Sequence, residues 1–349
     1  MTDTSREVTK RQPRGQALVM VAASLIALMG FGALAIDVGM MFLAKNELQN
    51  AADAAALAGA QKLYYSGCTD CPQSRWTQGE DSARANIAIN KSMKATLSTG
   101  TITSGWWNLT GTPAGMQSKT KTPWVLGDAA AVRVVIRKSP GNNGGSVALL
   151  LASMFGAQST QAITASAVAV VSFPSTVMPN QTFPTAINNC MYDVFWDKTL
   201  NKPKIDPATG NPYIFRIGSS YHYGTCDSGQ WTTLLVDNNS AAYEKALVQS
   251  GNPTQLSIGQ NIWIQPGTEN SVYPVVPVPS VALLPVVQDV SSSTHAYTPI
   301  VGFGPFHIIA SVGGSGKYLE GYFDGDYEVP RATGGGPFFG AYIPPSLAQ

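Results

Sequence analysis

Four cysteines and three histidines are the side chains with the widest chemical range in this sequence. Cys68 and Cys71 are spaced C-x-x-C, as in thiol oxidoreductases, where the local environment lowers a thiol pKa. That motif normally opens a helix in a strand–helix–strand unit. Here it follows a helical pattern and is closed by Pro72. His222 and Cys226, spaced H-x-x-x-C, would complete a four-ligand zinc set with Cys68 and Cys71, but the two pairs lie far apart in the chain. Disulfides are the remaining use. Four cysteines allow three pairings. One bond per region, Cys68–Cys71 and Cys190–Cys226, is the expectation, and closing the longer loop would stabilise by about 4 kcal/mol through chain entropy.

The other constellations fall short of catalysis. Residues 218–224 (GSSYHYG) surround His222 but do not form the G-x-S-x-G elbow of a nucleophilic serine. His307 lies in the apolar run FHII, as a core or edge histidine does. Residues 311–318 (SVGGSGKY) lack the first glycine and final Ser/Thr of a phosphate loop and read as a glycine-rich turn. Asp324, Asp326 and Glu328 lack the spacing of a helical calcium loop. Trp106, Trp107 and Trp231 could stack on glycans, but Trp is also a common core filler. No cofactor, metal or catalytic set is therefore expected, and His222 and Asp324 are the residues on which a hydrolase reading would stand or fall.

These residues need elements to carry them, and the composition narrows the choice. Only 12% of the 349 residues are charged and the net charge is +1, against about 25% charged in ordinary soluble domains. Such a chain has no positive field for nucleic acid, so no nucleic-acid partner is expected. Gly (34) and Pro (23) point to many turns and short strands. One run is long enough to span a bilayer: residues 15–36, GQALVMVAASLIALMGFGALAI. Arg6, Lys10, Arg11 and Arg14 precede it, which places residues 1–14 in the cytoplasm and the rest outside. An uncleaved anchor over residues 17–43 is the main reading. A signal peptide cut at Ala33-Leu34-Ala35 and a prepilin-like leader cut after Gly15 are the alternatives. Asp37 arrives at the outer headgroup level, where water is close, although a carboxylate so near the membrane can also serve a partner.

Residues 43–63 (LAKNELQNAADAAALAGAQKL) continue the helical pattern, with Leu48, Ala52, Ala55, Gly59 and Leu63 on one face. No proline occurs from Gly15 to Cys71, so one helix is expected to run through both stretches. Its smooth Ala/Gly face suits packing within the chain, or a helix–helix assembly seam.

The sequence from Arg14-Gly15-Gln16 through the apolar span and Ala35-Ile36-Asp37-Val38-Gly39, then Leu48-Gln49-Asn50-Ala51-Ala52-Asp53-Ala54-Ala55-Ala56-Leu57-Ala58-Gly59-Ala60, resembles the TadG-like proteins of the tight-adherence (Flp) pilus-assembly systems. The resemblance covers roughly residues 14–62. More weakly, residues 183–343 look like an uncharacterised C-terminal region of some of these proteins. The resemblance implies a non-enzymatic component of the bacterial inner membrane, single-pass, with its C-terminal regions periplasmic or extracellular. It would act in pilus assembly, anchoring or adhesion. Other Tad/Flp assembly proteins or pilin subunits are the implied partners, and a homo-oligomer could form through the N-terminal helix. Gly15, Asp37, Leu48, Asn50, Ala52, Asp53, Ala55 and Gly59 mark the candidate assembly helix. Relatives processed as pseudopilins carry a glutamate five residues after the cut; counting from Gln16, that position is Met20. A minor pilin-like adhesin and a tethered or secreted hydrolase are the competing readings.

The expected fold class is α+β. After the anchor and its continuing helix (15–65) comes a small strand–helix–strand region (66–172), then a β-rich sandwich-like or barrel-like region (173–349). Residues 130–137 (AAVRVVIR) and 160–172 read as strands, 146–155 (SVALLLASMF) and 81–97 as short helices. Phe173-Pro174 and Met178-Pro179 mark the boundary. Beyond it, strands are expected at 213–217, 261–264, 280–284, 303–311 and 318–323. Pro274, Pro277, Pro279 and Pro285 suggest an edge strand or an extended linker. N-terminal sequencing of the membrane-bound protein tests the anchor: a start near Met1 is expected, and a start at Gln16 would show prepilin-type cutting instead.

Overall fold

The computed structural model describes residues 16–63, 75–121, 125, 127–149, 156, 158–265, 270–288 and 295–349. Ala, Leu and Met dominate a proline-free stretch of 46 residues that forms the single helix α1 (Gln16–Gln61), about 69 Å long at 1.5 Å per residue. Contacts divide the chain into two units. One comprises Met1–Ala51, Ala88–Gly100 and Ile136–Ala165; the other comprises Ala52–Ile87, Thr101–Val135 and Ser166–Gln349.

In the first unit, α1 is accompanied by two small hairpins. Lys91–Ser92 pairs with Ala95–Thr96, and Met93 and Lys94 between them have φ of 50° and 66°, the left-handed pair that tight hairpins require. The helix expected over 81–97 therefore ends early: α2 is Trp76–Ala88. Val147–Ala148 pairs with Thr160–Gln161, so the expected helix over 146–155 begins as a strand. Its residues 150–155 lie outside the described residues. Lys138 is buried here, and its Nζ donates to the carbonyls of Asn143 (2.7 Å) and Ser92 (3.4 Å). Burial pulls the Lys138 ammonium below its ordinary pKa, and the negative Glu47 partly opposes this.

Among the described residues, the second unit carries two large sheets beside three two-stranded ones. β1 (Thr101–Asn108), β2 (Met116–Gln117), β3 (Asp128–Lys138) and β4 (Ile163–Ser172) belong to a six-stranded sheet. β3 alternates as its sequence suggests: Ala130, Val132 and Val134 are buried on one face, and Arg133 and Arg137 are exposed on the other. Its first residue, Asp128, is buried at the sheet end. Asp128 receives hydrogen bonds from Lys121 Nζ (2.6 Å), Asn108 Nδ2 (3.0 Å) and the Val125 amide (3.0 Å). Burial alone would raise its pKa, but these donors hold the carboxyl below the ordinary range.

Beyond the expected boundary, β5 (Thr185–Asn188), the short helix α3 (Met191–Phe195), β6 (Phe215–Ile217), β7 (Gly229–Leu234) and helix α4 (Ala241–Ser250) follow. Then come β8 (Asn261–Gln265), β9 (Ser280–Val287), β10 (Ala296–Val312), β11 (Tyr318–Phe323), β12 (Tyr327–Glu328) and β13 (Ala341–Leu347). The second sheet runs β6-β11-β10-β8-β7-β5-β9, and β9 also pairs with β10. β10 makes this possible by its length: 296–299 pair with β8, and 300–308 with β9. The ring β8–β7–β5–β9–β10 is thus closed, as in a barrel.

The proline-punctured run gives a correction, because β9 is an interior strand. The carbonyls of Leu283 and Val287 accept from Phe183 and Asn189, so odd residues of β9 direct their backbone toward β5. Pro285 therefore lacks its N–H on the β5 side, just before that ladder begins at Ile187↔Val286. Nor does the chain after residue 173 stay in its own sheet: β13 pairs with β4 (Ile343↔Ser172), and β12 pairs with β13. The packing around α3, β6 and β11 is aromatic. Tyr192 stacks on Phe323 at 4.1 Å, and Phe215 meets Phe306 at 5.1 Å. Gly304 is required here, since a Cβ would fall 1.8 Å from the Tyr192 hydroxyl.

Asp128→Ala leaves the Val125 amide, Asn108 and Lys121 without their acceptor and should cost about 3 kcal/mol in urea unfolding. A carboxylate with a depressed folded-state pKa contributes stability above its unfolded pKa of about 3.9 and loses it as pH falls through the folded value. The wild-type chain should therefore lose more stability than D128A on acidification below about pH 4.

Candidate functional site

The site is α1 itself, whose sequence changes character along its length. Leu18, Val21, Leu25, Leu28 and Phe31 are all more than half exposed, and no described side chain from 17 to 32 is buried. Ala33, Asp37, Ala44, Leu48, Ala51, Ala52, Ala55, Ala56 and Ala60 are buried, as is Gly59. Their three- and four-residue spacing draws one stripe along the helix. Leu34, Ile36, Phe42 and Leu43 remain exposed on the other side. α1 is long and apolar enough to cross a membrane, which suggests single-pass anchoring.

The two parts of the stripe are held differently. In the first unit, Lys45 Nζ donates to the Thr164 carbonyl at 2.6 Å, and the Glu47 carboxylate accepts the Met93 amide at 2.7 Å. In the second, small residues allow close approach. A Cβ on Gly59 would lie 2.9 Å from the Gly79 carbonyl oxygen of α2, 3.0 Å from Val132 of β3 and 3.1 Å from Ala83. Ser82 Oγ donates to the Ala58 carbonyl at 2.9 Å across the same contact. The Ala/Gly face is thus occupied within the chain.

The structure brings Asp37, Leu48, Ala52, Ala55 and Gly59 onto one buried stripe. It leaves Asn50 exposed and Asp53 half-buried on the flank. Gly15 lies outside the described residues. The expectation that Asp37 meets water at the headgroup level is corrected: it is 3% exposed, because it lies on the stripe that the protein covers.

The remaining chemical candidates are dispersed. Cys68 and Cys71 lie outside the described residues. Cys190 and Cys226 form a disulfide with Cα atoms 5.9 Å apart, so the Cys226 sulfur is bound to Cys190 instead of joining His222 on a metal. His222 Nδ1 pairs with Asp227 at 2.5 Å on an exposed hairpin. His307 Nε2 pairs with Asp324 at 2.9 Å, and its ring stacks on Tyr322. Residues 313–317 form the turn between β10 and β11. Trp106 and Trp231 are core residues: Trp106 meets Trp76 edge-on, and Trp231 donates to the Tyr273 hydroxyl at 3.0 Å. Burial raises the Tyr273 pKa to about 12, partly opposed by that bond. Trp107 is half-buried against Ala129, Ala131 and Val170. Sequence reasoning missed α4, although Ser240, whose hydroxyl caps the Tyr243 amide, and the left-handed Gly251 both signalled it.

Among the described residues, these features define one candidate membrane helix joined to mixed α+β structure and a closed barrel. Residues 15–62 match the family described as Tad, Putative Flp pilus-assembly TadE/G-like. The match ends within a residue of each end of α1 and supports a pilus-assembly-related role. No curated protein and no solved structure matches the chain.

Gly59→Val should force α1 from α2 and lower stability by about 2–3 kcal/mol in urea unfolding. Ala54→Gln, on the exposed side of the same helix, should change it by less than about 0.5 kcal/mol.

Proposed function

We propose that this chain is a non-enzymatic component of a Flp-type pilus-assembly system. α1 holds it in the bacterial inner membrane, with residues 1–14 in the cytoplasm and the later regions on the outer side. The observation that carries this reading is the coincidence of the TadE/G-like match (15–62) with α1. That helix is bare and apolar at its start, and one face is occupied by the protein's own fold at its end. Arg6, Lys10, Arg11 and Arg14 support the orientation. The Cys190–Cys226 bond supports an oxidising compartment. Two clefts among the described residues offer surfaces for binding. One lies beside Phe183, Leu247 and Ala282, the other beside Leu109, Val170 and Ile343; neither is lined by a charged, His or Cys side chain.

The protein's work is then attachment. Exposed apolar side chains of α1 are available within the bilayer to pilin subunits, to other assembly proteins or to a second copy. The sheets and barrel are available to envelope partners outside it. Deleting the gene should remove surface Flp fibres, and the protein should remain with membranes when fibres are sheared off. Recovery in the sheared fibres would favour the minor pilin-like adhesin. His222→Ala and Asp324→Ala should both restore fibres fully, whereas loss of fibres from two correctly folded variants would favour the hydrolase.

A further inference from the structure

Leu43 is the last large apolar side chain exposed on α1, and Lys45 follows two residues later, about 3 Å along the axis. Several segments converge on this turn. The Glu47 carboxylate holds the Met93 amide at 2.7 Å. This places the hairpin carrying Lys91 and Lys94 beside α1. Buried Lys138 bonds the carbonyls of Ser92 and Asn143, and Asn143 Nδ2 donates to the Arg137 carbonyl at 2.7 Å. Arg137 is thereby tied to the same network. All these residues belong to one unit.

Among the described residues of that unit, every exposed charged side chain is a cation: Lys45, Lys91, Lys94 and Arg137. The two acids among those described residues face inward, Asp37 being buried and Glu47 half-buried and engaged by Met93. A chain with a net charge of only +1 thus concentrates one sign of charge where its apolar mantle ends. Cations at that level are attracted by anionic headgroups, and lysine stems can lie along apolar surface while their ammonium groups reach the polar layer. Lys45 gives one donor to Thr164 and retains two more.

We propose that Lys45, Lys91, Lys94 and Arg137 form a collar that binds anionic phospholipid headgroups and seats this unit on the membrane surface. The proposal rests on the single-span reading of α1. The test uses the full chain in nanodiscs of phosphatidylcholine alone, and of phosphatidylcholine mixed with phosphatidylglycerol, with amide hydrogen exchange followed over residues 88–100. Exchange should be about fivefold slower, or more, in the anionic discs at low salt. High salt should erase the difference, as should the triple variant K91Q/K94Q/R137Q. The variant K198Q/K202Q, which alters an exposed and a half-buried cation of the other unit, should keep it. Equal exchange in both disc types, or a difference that survives the triple variant, overturns the collar alone. A chain that enters neither disc overturns the anchor and the collar together.

Discussion

The close approach of α1 to α2 at Gly59 and Gly79 is the constraint on which the region around the first sheet depends. Only backbone and methyl-sized groups fit between Gly59, Gly79, Ala83 and Val132. Alanine serves this contact twice. It is the strongest helix former, and it leaves a surface smooth enough for another helix and a strand to lie against it. Ala51, Ala52, Ala55, Ala56 and Ala60 can therefore be buried without large side chains, and α1 continues without a break from its exposed apolar stretch into the covered one.

Charge is handled with similar economy along β3. The strand begins on a buried carboxylate, Asp128, and ends on a buried ammonium, Lys138. Burial disfavours both ions, and each is retained by polar partners: Lys121, Asn108 and the Val125 amide for Asp128, and the Asn143 and Ser92 carbonyls for Lys138. Few charges are present in the sequence, and these two tie the loops at the strand ends in place.

The barrel depends on one long strand. β10 exchanges its partner from β8 to β9 along its length, which lets a seven-stranded sheet close. Gly302 and Gly304 lie near that exchange, where Phe339 and Tyr192 press against the backbone. Pro285 is accommodated because its missing donor falls where the neighbouring parallel ladder has not yet started.

Much was legible in sequence because it is local. Helix length, the absence of proline, the Ala/Gly periodicity and the alternation in AAVRVVIR depend on near neighbours, and α1 and β3 follow them. The Cys190–Cys226 pairing and the core places of Trp106 and Trp231 also agree with what residue type suggests. Other features are decided by contacts between distant residues. The proline-rich run becomes an interior strand because β5 and β10 flank it. The stretch after Ser146 starts as a strand because Thr160–Gln161 lies beside Val147–Ala148. β13 joins the first sheet because β4 leaves it an edge. Asp37 is buried because the covered stripe of α1 reaches it. By itself, the sequence determined one long helix, apolar and then small-faced, and a turn-rich β region. Only the tertiary structure decided which face of the helix is covered and which strands meet, because burial and strand pairing are properties of pairs of segments, not of either segment alone.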